Sequence, residues 1–119
     1  FNWYDSLIRL ALYPTASHED QPSYLDEVMR NQQQMQKWQS SCPDNFSHKY
    51  LLVEAELARI QGNYFQAETY YDQSIELASQ HGFIQEQALA VELAAKYWLA
   101  RGKSLCAQVC GSINGLSPT

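Results

Sequence analysis

Apolar residues recur every three or four positions along most of this chain, with polar residues between them. Such a period predicts amphipathic helices. Trp3, Leu7 and Leu10 share one stripe near the start of the chain. The same period returns further along, so the sequence predicts helices over residues 1–13, 23–39, 47–61, 64–81 and 84–101. Because no segment shows the clear two-residue alternation of a strand, the predicted fold class is all-α.

Prolines, glycines and polar segments mark the predicted helix ends. Pro14 ends the first helix, and the polar segment PTASHEDQP connects it to the second. SSCPDNFS separates the second helix from the third, and the residues that can cap the third helix are Asp44, Asn45 and Ser47. The glycines predicted to end the next three helices are Gly62, Gly82 and Gly102. The final GSINGLSPT contains many turn formers, so a sixth helix is predicted to be only a stub of about two turns.

One segment of the chain returns after forty residues. LLVEAELARIQGNYFQA, residues 51–67, is echoed by VELAAKYWLARGKSLCA, residues 91–107, with apolar, small and helix-ending positions in register. A fixed period of this kind is typical of proteins in which helix hairpins stack on one another. The sequence therefore predicts an antiparallel helical hairpin array over residues 1–107, with repeat units near 48–82 and 84–110. An irregular or frayed tail is predicted for residues 108–119.

Charge and composition exclude several classes of function. The formal net charge is −5, and the 8 Lys and Arg residues are interspersed with the 13 Asp and Glu residues. The chain therefore lacks the concentrated positive charge that binds nucleic acid. No run of about 18 apolar residues predicts a membrane span. The chain begins FNWYDS, without an initiator Met or a secretory leader, and we expect it to be a piece of a longer cytoplasmic polypeptide.

The cysteines are candidates for metal binding. Three cysteines cannot all pair within one chain, and the apolar surroundings of Cys106 and Cys110 suit a reducing compartment. These two residues are four apart, which would place both thiols on one helix face, as in some zinc sites. Two ligands are too few for zinc, so we interpret both residues as small buried thiols.

The remaining polar residues predict no catalytic constellation. His18, with Glu19 and Asp20, comes nearest to an acid–base cluster, and we interpret it as part of a solvated loop. The other histidines, His48 and His81, lie beside predicted helix boundaries. The glutamines of NQQQMQ predict a solvated helix face, and the tyrosines interpreted as core residues, rather than as phosphorylation sites, are Tyr70 and Tyr71. We therefore expect no catalytic residue, cofactor site or metal site in this segment.

The first helix of each repeat unit is predicted to line a concave face. The side chains expected to face out of it are Lys49, Leu52, Glu56, Arg59, Glu92, Lys96 and Leu99. Such a mixture of polar and apolar groups commonly holds a peptide or a helix. The alternative is that these residues merely coat the helices with charge and that another domain of the same protein covers the groove.

The fourth helix carries the residues of a known repeat. GNYFQAETYYDQSIELA, residues 62–78, resembles the second half of a tetratricopeptide repeat, with its glycine, aromatic and small residues at Gly62, Tyr64, Ala67 and Tyr71. Ser74 stands where the family usually has alanine, and around Gly102 both aromatic positions are replaced, by Ser104 and Gly111. The forty-residue period exceeds the usual repeat by about two helical turns, which implies lengthened helices.

The longer run from WYDSLIRLALYPTA through NQQQMQKWQSSCPDNFSHKY to AKYWLARGK, residues 3–103, resembles the helical region of bacterial multi-sensor signal transduction multi-kinases, which are well represented in cyanobacteria. In that family a serine/threonine-kinase-like domain and an AAA-type ATPase module precede this region, and a GAF sensor and commonly a histidine kinase follow it. The resemblance ends after Ala107, and none of the family's catalytic motifs lies in this chain.

The resemblance implies a non-catalytic segment that couples the ATPase or kinase module to a sensor module through protein–protein contact. Its partner would be another domain of the same polypeptide or a bound peptide. One alternative is a free-standing adaptor that binds a peptide in trans. The other is a small α-helical enzyme, with or without a metal ion, that would require His18 or Cys106.

Overall fold

A computed structural model describes the backbone of residues 2–113 and the side chains of residues 3–102. Over these residues the chain folds into five α-helices, with a short 3-10 turn, Tyr13–Thr15, after the first. The helices are α1 (Asn2–Leu12), α2 (Gln21–Ser41), α3 (Pro43–Ile60), α4 (Tyr64–Gln80) and α5 (Ile84–Ile113). The prediction of an all-α fold is therefore confirmed. The tetratricopeptide-like character of the array stays a prediction.

Two of the three predicted glycine stops are found. Gly62 follows α3 with φ 81° and Gly82 follows α4 with φ 75°, the left-handed conformation that glycine adopts without strain. Beyond each glycine the backbone N–H turns back to the helix, so that Asn63 N–H donates to the carbonyl of Ala58 at 2.9 Å. The chain can therefore reverse within three residues and begin the next helix.

The start of α3 differs from the prediction. The helix begins at Pro43, so the predicted caps Asp44, Asn45 and Ser47 lie within its first turns. Proline is favoured at the first helical position because its φ is already helical and the N–H that it lacks would have no partner there. Asn63 directly precedes α4, and its side chain makes no capping hydrogen bond.

The C-terminal end of the array also differs from the prediction. α5 passes through Gly102 and continues to Ile113, so no separate sixth helix begins within the described residues. Residues 108–113, predicted to be irregular, are helical, and residues 114–119 lie outside the described part of the chain. A glycine inside a helix costs only about 1 kcal/mol relative to alanine. Good helix formers on both sides, Ala100, Arg101 and Lys103, favour continuation of the helix.

Consecutive helices run antiparallel. Near the start of α3, the carbonyl of His48 accepts a hydrogen bond from Ser74 Oγ of α4 at 2.7 Å. Further along α3, the carboxylate of Glu56 meets Tyr71, which lies earlier in α4. The other four helices all contact α3. α1 and α5 flank it along one cavity, whereas α2 and α4 flank it along two others. The array therefore has two layers, with α1, α3 and α5 in one and α2 and α4 in the other.

The core lies between these layers and follows the predicted stripes. Its buried apolar residues include Trp3, Leu7 and Leu10 of α1, Val53, Ala55 and Leu57 of α3, Ala67 and Tyr71 of α4, and Ala90, Ala94 and Tyr97 of α5. Alanines predominate among the buried apolar residues of α4 and α5, which lets helix backbones approach closely. No helix in the described part of the chain is long and apolar enough to cross a membrane.

Candidate functional site

A groove opens on the layer formed by α1, α3 and α5. Ala11 of α1 forms one wall, and Glu56 and Arg59 of α3 form the floor. The opposite wall consists of the α5 residues Leu93, Lys96, Tyr97 and Ala100. The cavity has a volume of about 240 Å3. The structure thus brings together three of the seven residues predicted to line a concave face, namely Glu56, Arg59 and Lys96.

The other four predicted residues lie outside this cavity. Leu52 is only 1% exposed and belongs to the core. Lys49 is half-buried, and its ammonium lies 5.5 Å from the centre of the Trp3 ring and 3.8 Å from a carboxylate oxygen of Glu86. The two predicted residues that are exposed on α5 beyond the groove are Glu92 and Leu99. The prediction that Leu52 faces out of the groove is therefore wrong.

Glu56 was predicted to face outward, but its carboxylate is buried, with the residue only 3% exposed. A buried carboxylate is stable only when other groups satisfy its charge. Tyr71 of α4 donates its hydroxyl hydrogen to Glu56 Oε2, and Arg59 Nε donates to the same oxygen at 2.9 Å. Sequence reasoning missed this triad because its third member lies in the next helix.

The triad shifts the pKa values of Tyr71 and Arg59. Burial, together with the Glu56 carboxylate, holds the pKa of Tyr71 well above its ordinary value, so the phenol remains a donor. Burial alone would lower the pKa of Arg59, but Glu56 outweighs it and the net pKa is raised. Arg59 therefore stays positive at the floor of the groove, with 27% of its side chain exposed.

A second cavity of about 210 Å3 adjoins the groove and shares Arg59, Tyr97 and Ala100 with it. At the edge of this cavity, the guanidinium carbon of Arg101 lies over the Tyr64 ring, 4.2 Å from the ring centre. This cation–π contact holds the charge in place. Tyr97 donates its hydroxyl hydrogen to Glu68 Oε2 at 2.6 Å, and burial, aided by that carboxylate, raises the pKa of Tyr97 to about 12. Arg101 therefore places a positive charge beside this second cavity.

Apolar side chains are exposed at both ends of the array. Ile8 of α1 is 58% exposed, and on α5 Trp98 is 51% and Leu99 64% exposed. Trp98 packs edge-on against Tyr97, whose own ring is buried. The helical period identified these positions as apolar, but it could not show which face of α5 a neighbouring helix covers.

The three histidines lie in different surroundings. His18, Glu19 and Asp20 are exposed in the connection before α2, as the loop interpretation predicted. His81 lies beside Asp44, with 3.5 Å between Nε2 and a carboxylate oxygen.

His48 differs from the sequence interpretation, because it lies inside α3 and is only 2% exposed. Its ring stacks on Phe83 at 4.5 Å between ring centres, and neither ring nitrogen has a hydrogen-bond partner among the described residues. Nε2 lies 4.0 Å from Glu86 Oε1. Burial lowers the pKa of His48 below its usual range, although Glu86 opposes the shift. His48 lies four residues before Leu52 on the same helix face, so the prediction that Leu52 faces outward also concealed the burial of His48.

The described residues contain no group of three or more His, Cys, Asp and Glu side chains that could hold a metal ion. The side chains of Cys106 and Cys110, which carried the zinc alternative, lie outside the described residues. Cys42 is an exposed free thiol.

Comparison with known proteins adds no assignment to this geometry. No protein-family model matches the chain, and no curated protein or solved structure matches it.

Proposed function

We propose that this chain is a non-catalytic helical-repeat segment whose groove, between α1, α3 and α5, binds an acidic segment of a protein. The observation that carries the proposal is the charge of this groove. Arg59, Lys96 and Arg101 line or border it, although the chain as a whole has a net charge of −5. An acidic partner would be attracted to this site and repelled by most of the remaining surface.

The floor of the groove suits a carboxylate ligand. Glu56 is the only acidic residue lining this cavity within the described chain, and it already accepts hydrogen bonds from Tyr71 and Arg59. Its charge is therefore compensated inside the protein. The Arg59 guanidinium has five N–H donors, of which Nε is used by Glu56, and a guanidinium pairs well with a carboxylate.

The walls of the groove suit an amphipathic partner. Leu93 and Ala100 of α5 and Ala11 of α1 provide shallow apolar contacts beside the charged groups. Short apolar walls with charges at the rim are typical of surfaces that bind a helix or a peptide. The bound segment places its apolar side chains against the walls. The proposed partner is therefore an acidic segment with apolar residues at regular spacing.

The resemblance of residues 3–103 to the helical region of bacterial multi-sensor kinases supports a role in a larger signalling protein. In that setting the acidic segment would belong to the same cytoplasmic polypeptide, and contact with it would couple an ATPase or kinase module to a sensor module. The exposed apolar residues of α1 and α5 support this view, because exposed apolar patches commonly mark contact with further protein.

The alternative of an adaptor that binds its peptide in trans is favoured by one feature. Within the described residues nothing covers the groove, so an external peptide has access to it. Sequencing the DNA on both sides of the coding segment separates the two possibilities. Kinase, ATPase or sensor reading frames continuous with this one support coupling within one polypeptide, whereas a start codon just before Phe1 and a stop after Thr119 support the adaptor.

The groove itself is tested with an acetylated, amidated peptide that carries glutamates and leucines at helical spacing. We expect saturable binding to the 119-residue chain, weakened by salt and weakened severalfold by Lys96→Glu. Lys37→Glu, a charge reversal at an exposed position of α2 outside the groove, is the matched control. Equal affinity for both variants, or equal binding of a peptide with lysines in place of the glutamates, would overturn the proposal.

A further inference from the structure

A second cleft lies on the other layer, where α2 and α4 flank α3. It contains two cavities, one of about 360 Å3 and one of about 450 Å3, and Tyr50 of α3 lines both. The larger cavity lies towards the start of α3, beside Ser47 and Leu51, and the smaller towards its end, beside Leu57 and Ala58. None of these residues lines the groove between α1, α3 and α5.

The walls of this cleft are rich in glutamine, and we call it the glutamine cleft. Eight of the thirteen glutamines in the chain line it. Those of the smaller cavity are Gln32, Gln33, Gln36, Gln61 and Gln66. Those of the larger cavity are Gln39, Gln73 and Gln80. They come from α2, from the turn after α3 and from α4, so residues far apart in the sequence meet in one place.

Of the eight glutamines, Gln32 is buried, Gln39 is partly buried and the other six are exposed. Gln32 is only 6% exposed, and its Nε2 donates to the carbonyl of Tyr50 at 3.2 Å and to Glu54 Oε2 at 3.1 Å. This contact holds α2 against α3. Gln36 and Gln66 are exposed on opposite walls. Gln39 Oε1 is buried and has no hydrogen-bond partner among the described residues, which leaves an acceptor for a ligand donor.

The charge of the glutamine cleft is opposite to that of the groove. None of the described residues that line it is Lys or Arg, and its two charged side chains are Glu54 and Glu76. An acidic ligand is therefore disfavoured, whereas an uncharged or basic one is accepted. The floor of the larger cavity is apolar, because Leu51 and Leu77 lie there.

We propose that the glutamine cleft binds an extended peptide segment that is uncharged or basic and that places one aliphatic side chain against Leu51 and Leu77. A primary amide offers both donors and an acceptor, which matches the alternating N–H and C=O groups of an extended main chain. The part of α2 that lines the cleft, from Met29 to Gln39, is about 15 Å long at 1.5 Å per residue, enough for four or five extended residues. A saccharide could use the amides but not the leucine floor.

The test uses the 119-residue chain and an array of hexapeptides with leucine at the third position and Gly, Ser, Gln, Lys or Asp at the others. We expect the chain to retain peptides with Gln, Ser or Lys beside the leucine and to reject those with Asp. Retention of the Asp peptides to the same extent would overturn the proposal, and so would the absence of any retained peptide. Maltohexaose, titrated as a saccharide probe, should not bind.

The site is located by the side-chain NH2 signals of glutamine in nitrogen-15 correlation spectra. Titration of a retained peptide should shift the signals of Gln36, Gln39 and Gln66 and leave that of Gln85, an exposed glutamine of α5 outside the cleft, unchanged. Shifts that involve Gln85 and spare the cleft glutamines would refute the site.

Paired variants measure the contribution of the amides. Gln36→Ala combined with Gln66→Ala removes one amide from each wall and should weaken binding about fivefold or more, since each lost hydrogen bond commonly changes affinity severalfold. Gln85→Ala is the matched control and should bind like the parent chain. Lys96→Glu, in the groove, should also leave this binding unchanged, which separates this proposal from the proposed function. Unchanged affinity of the double variant would show that the amides do not hold the peptide.

Discussion

The hydroxyl of Tyr71 in α4 donates a hydrogen bond to the buried carboxylate of Glu56 in α3. Arg59 binds the same carboxylate oxygen at 2.9 Å, so one oxygen receives a phenol and a guanidinium. This contact joins two helices beneath the groove and holds Arg59 at its floor. The residues that shape the candidate site are therefore also part of the core.

Tyr71→Phe removes the phenol donor without changing the size of the ring. We expect the free energy of unfolding to fall by about 1.5–3 kcal/mol, the usual value for a hydrogen bond to a charged group. Urea denaturation of the two proteins measures this difference. Tyr4→Phe is the control, because Tyr4 is 55% exposed and the same change there should stay within about 0.5 kcal/mol. An equally small loss for Tyr71→Phe would mean that Arg59 alone compensates Glu56.

Ala67→Leu tests the packing of α4. Ala67 is fully buried, and a larger side chain in a close-packed core costs about 1–3 kcal/mol. We expect a marked fall in melting temperature. Ala95→Leu makes the same change at an exposed position of α5 and should be nearly neutral. Similar melting temperatures for Ala67→Leu and the parent chain would mean that α4 does not pack closely at this position.

The first five helices and most of their ends could be predicted from the sequence, because both depend on local patterns. Trp3, Leu7 and Leu10 recur at helical spacing and are buried as one stripe. Gly62 and Gly82 adopt the positive φ that their position predicted. Gly102 carries the same signal, but the helix formers that follow it keep α5 helical.

The site was less predictable, because it depends on which faces the neighbouring helices cover. Leu52 and Glu56 lie on the predicted face of α3, yet Leu52 is buried in the core and Tyr71 of α4 binds Glu56. The sequence did not predict the glutamine cleft, and NQQQMQ predicted only a solvated helix face. The glutamines of the other walls lie more than twenty residues further along the chain.

His48 should make stability depend on pH on the acid side of neutrality. Burial lowers its folded-state pKa below the 6.5 of an unfolded chain, and Lys49 adds to the shift while Glu86 opposes it. Below pH 6.5 the unfolded chain therefore binds more protons than the folded chain. The contribution of His48 to stability is present above that pH and is lost as the pH falls through the folded-state pKa.

The measurement is the free energy of unfolding between about pH 7 and pH 5, where histidine titrates. His48→Phe, which retains an aromatic ring against Phe83, should flatten the slope relative to the parent chain. His18→Gln, at an exposed loop position, is the control. A slope unchanged by His48→Phe would show that other groups cause the acid sensitivity.

Substitution by alanine should change the free energy of unfolding in opposite directions at Gly62 and Gly102. A Cβ added at either position meets no atom within 4 Å, so only the backbone conformation distinguishes them. Gly62 has φ 81°, where alanine is strained, and Gly62→Ala should lower the free energy of unfolding by about 1 kcal/mol or more. Gly102 lies inside α5, where alanine is the better helix former, and Gly102→Ala should raise it by about 0.5–1 kcal/mol.

Urea denaturation, with helix content followed by circular dichroism, measures both changes. Gly82 has φ 75°, so Gly82→Ala should also lower the free energy of unfolding. This variant is the control for a second glycine at positive φ. The decisive result is whether Gly102→Ala raises or lowers the free energy of unfolding. A stabilising effect requires a helical backbone there, because alanine is favoured over glycine in a helix and disfavoured at positive φ. A loss of stability like that at Gly62 would instead mean that α5 stops at Gly102, as its similarity to the other two glycines predicted.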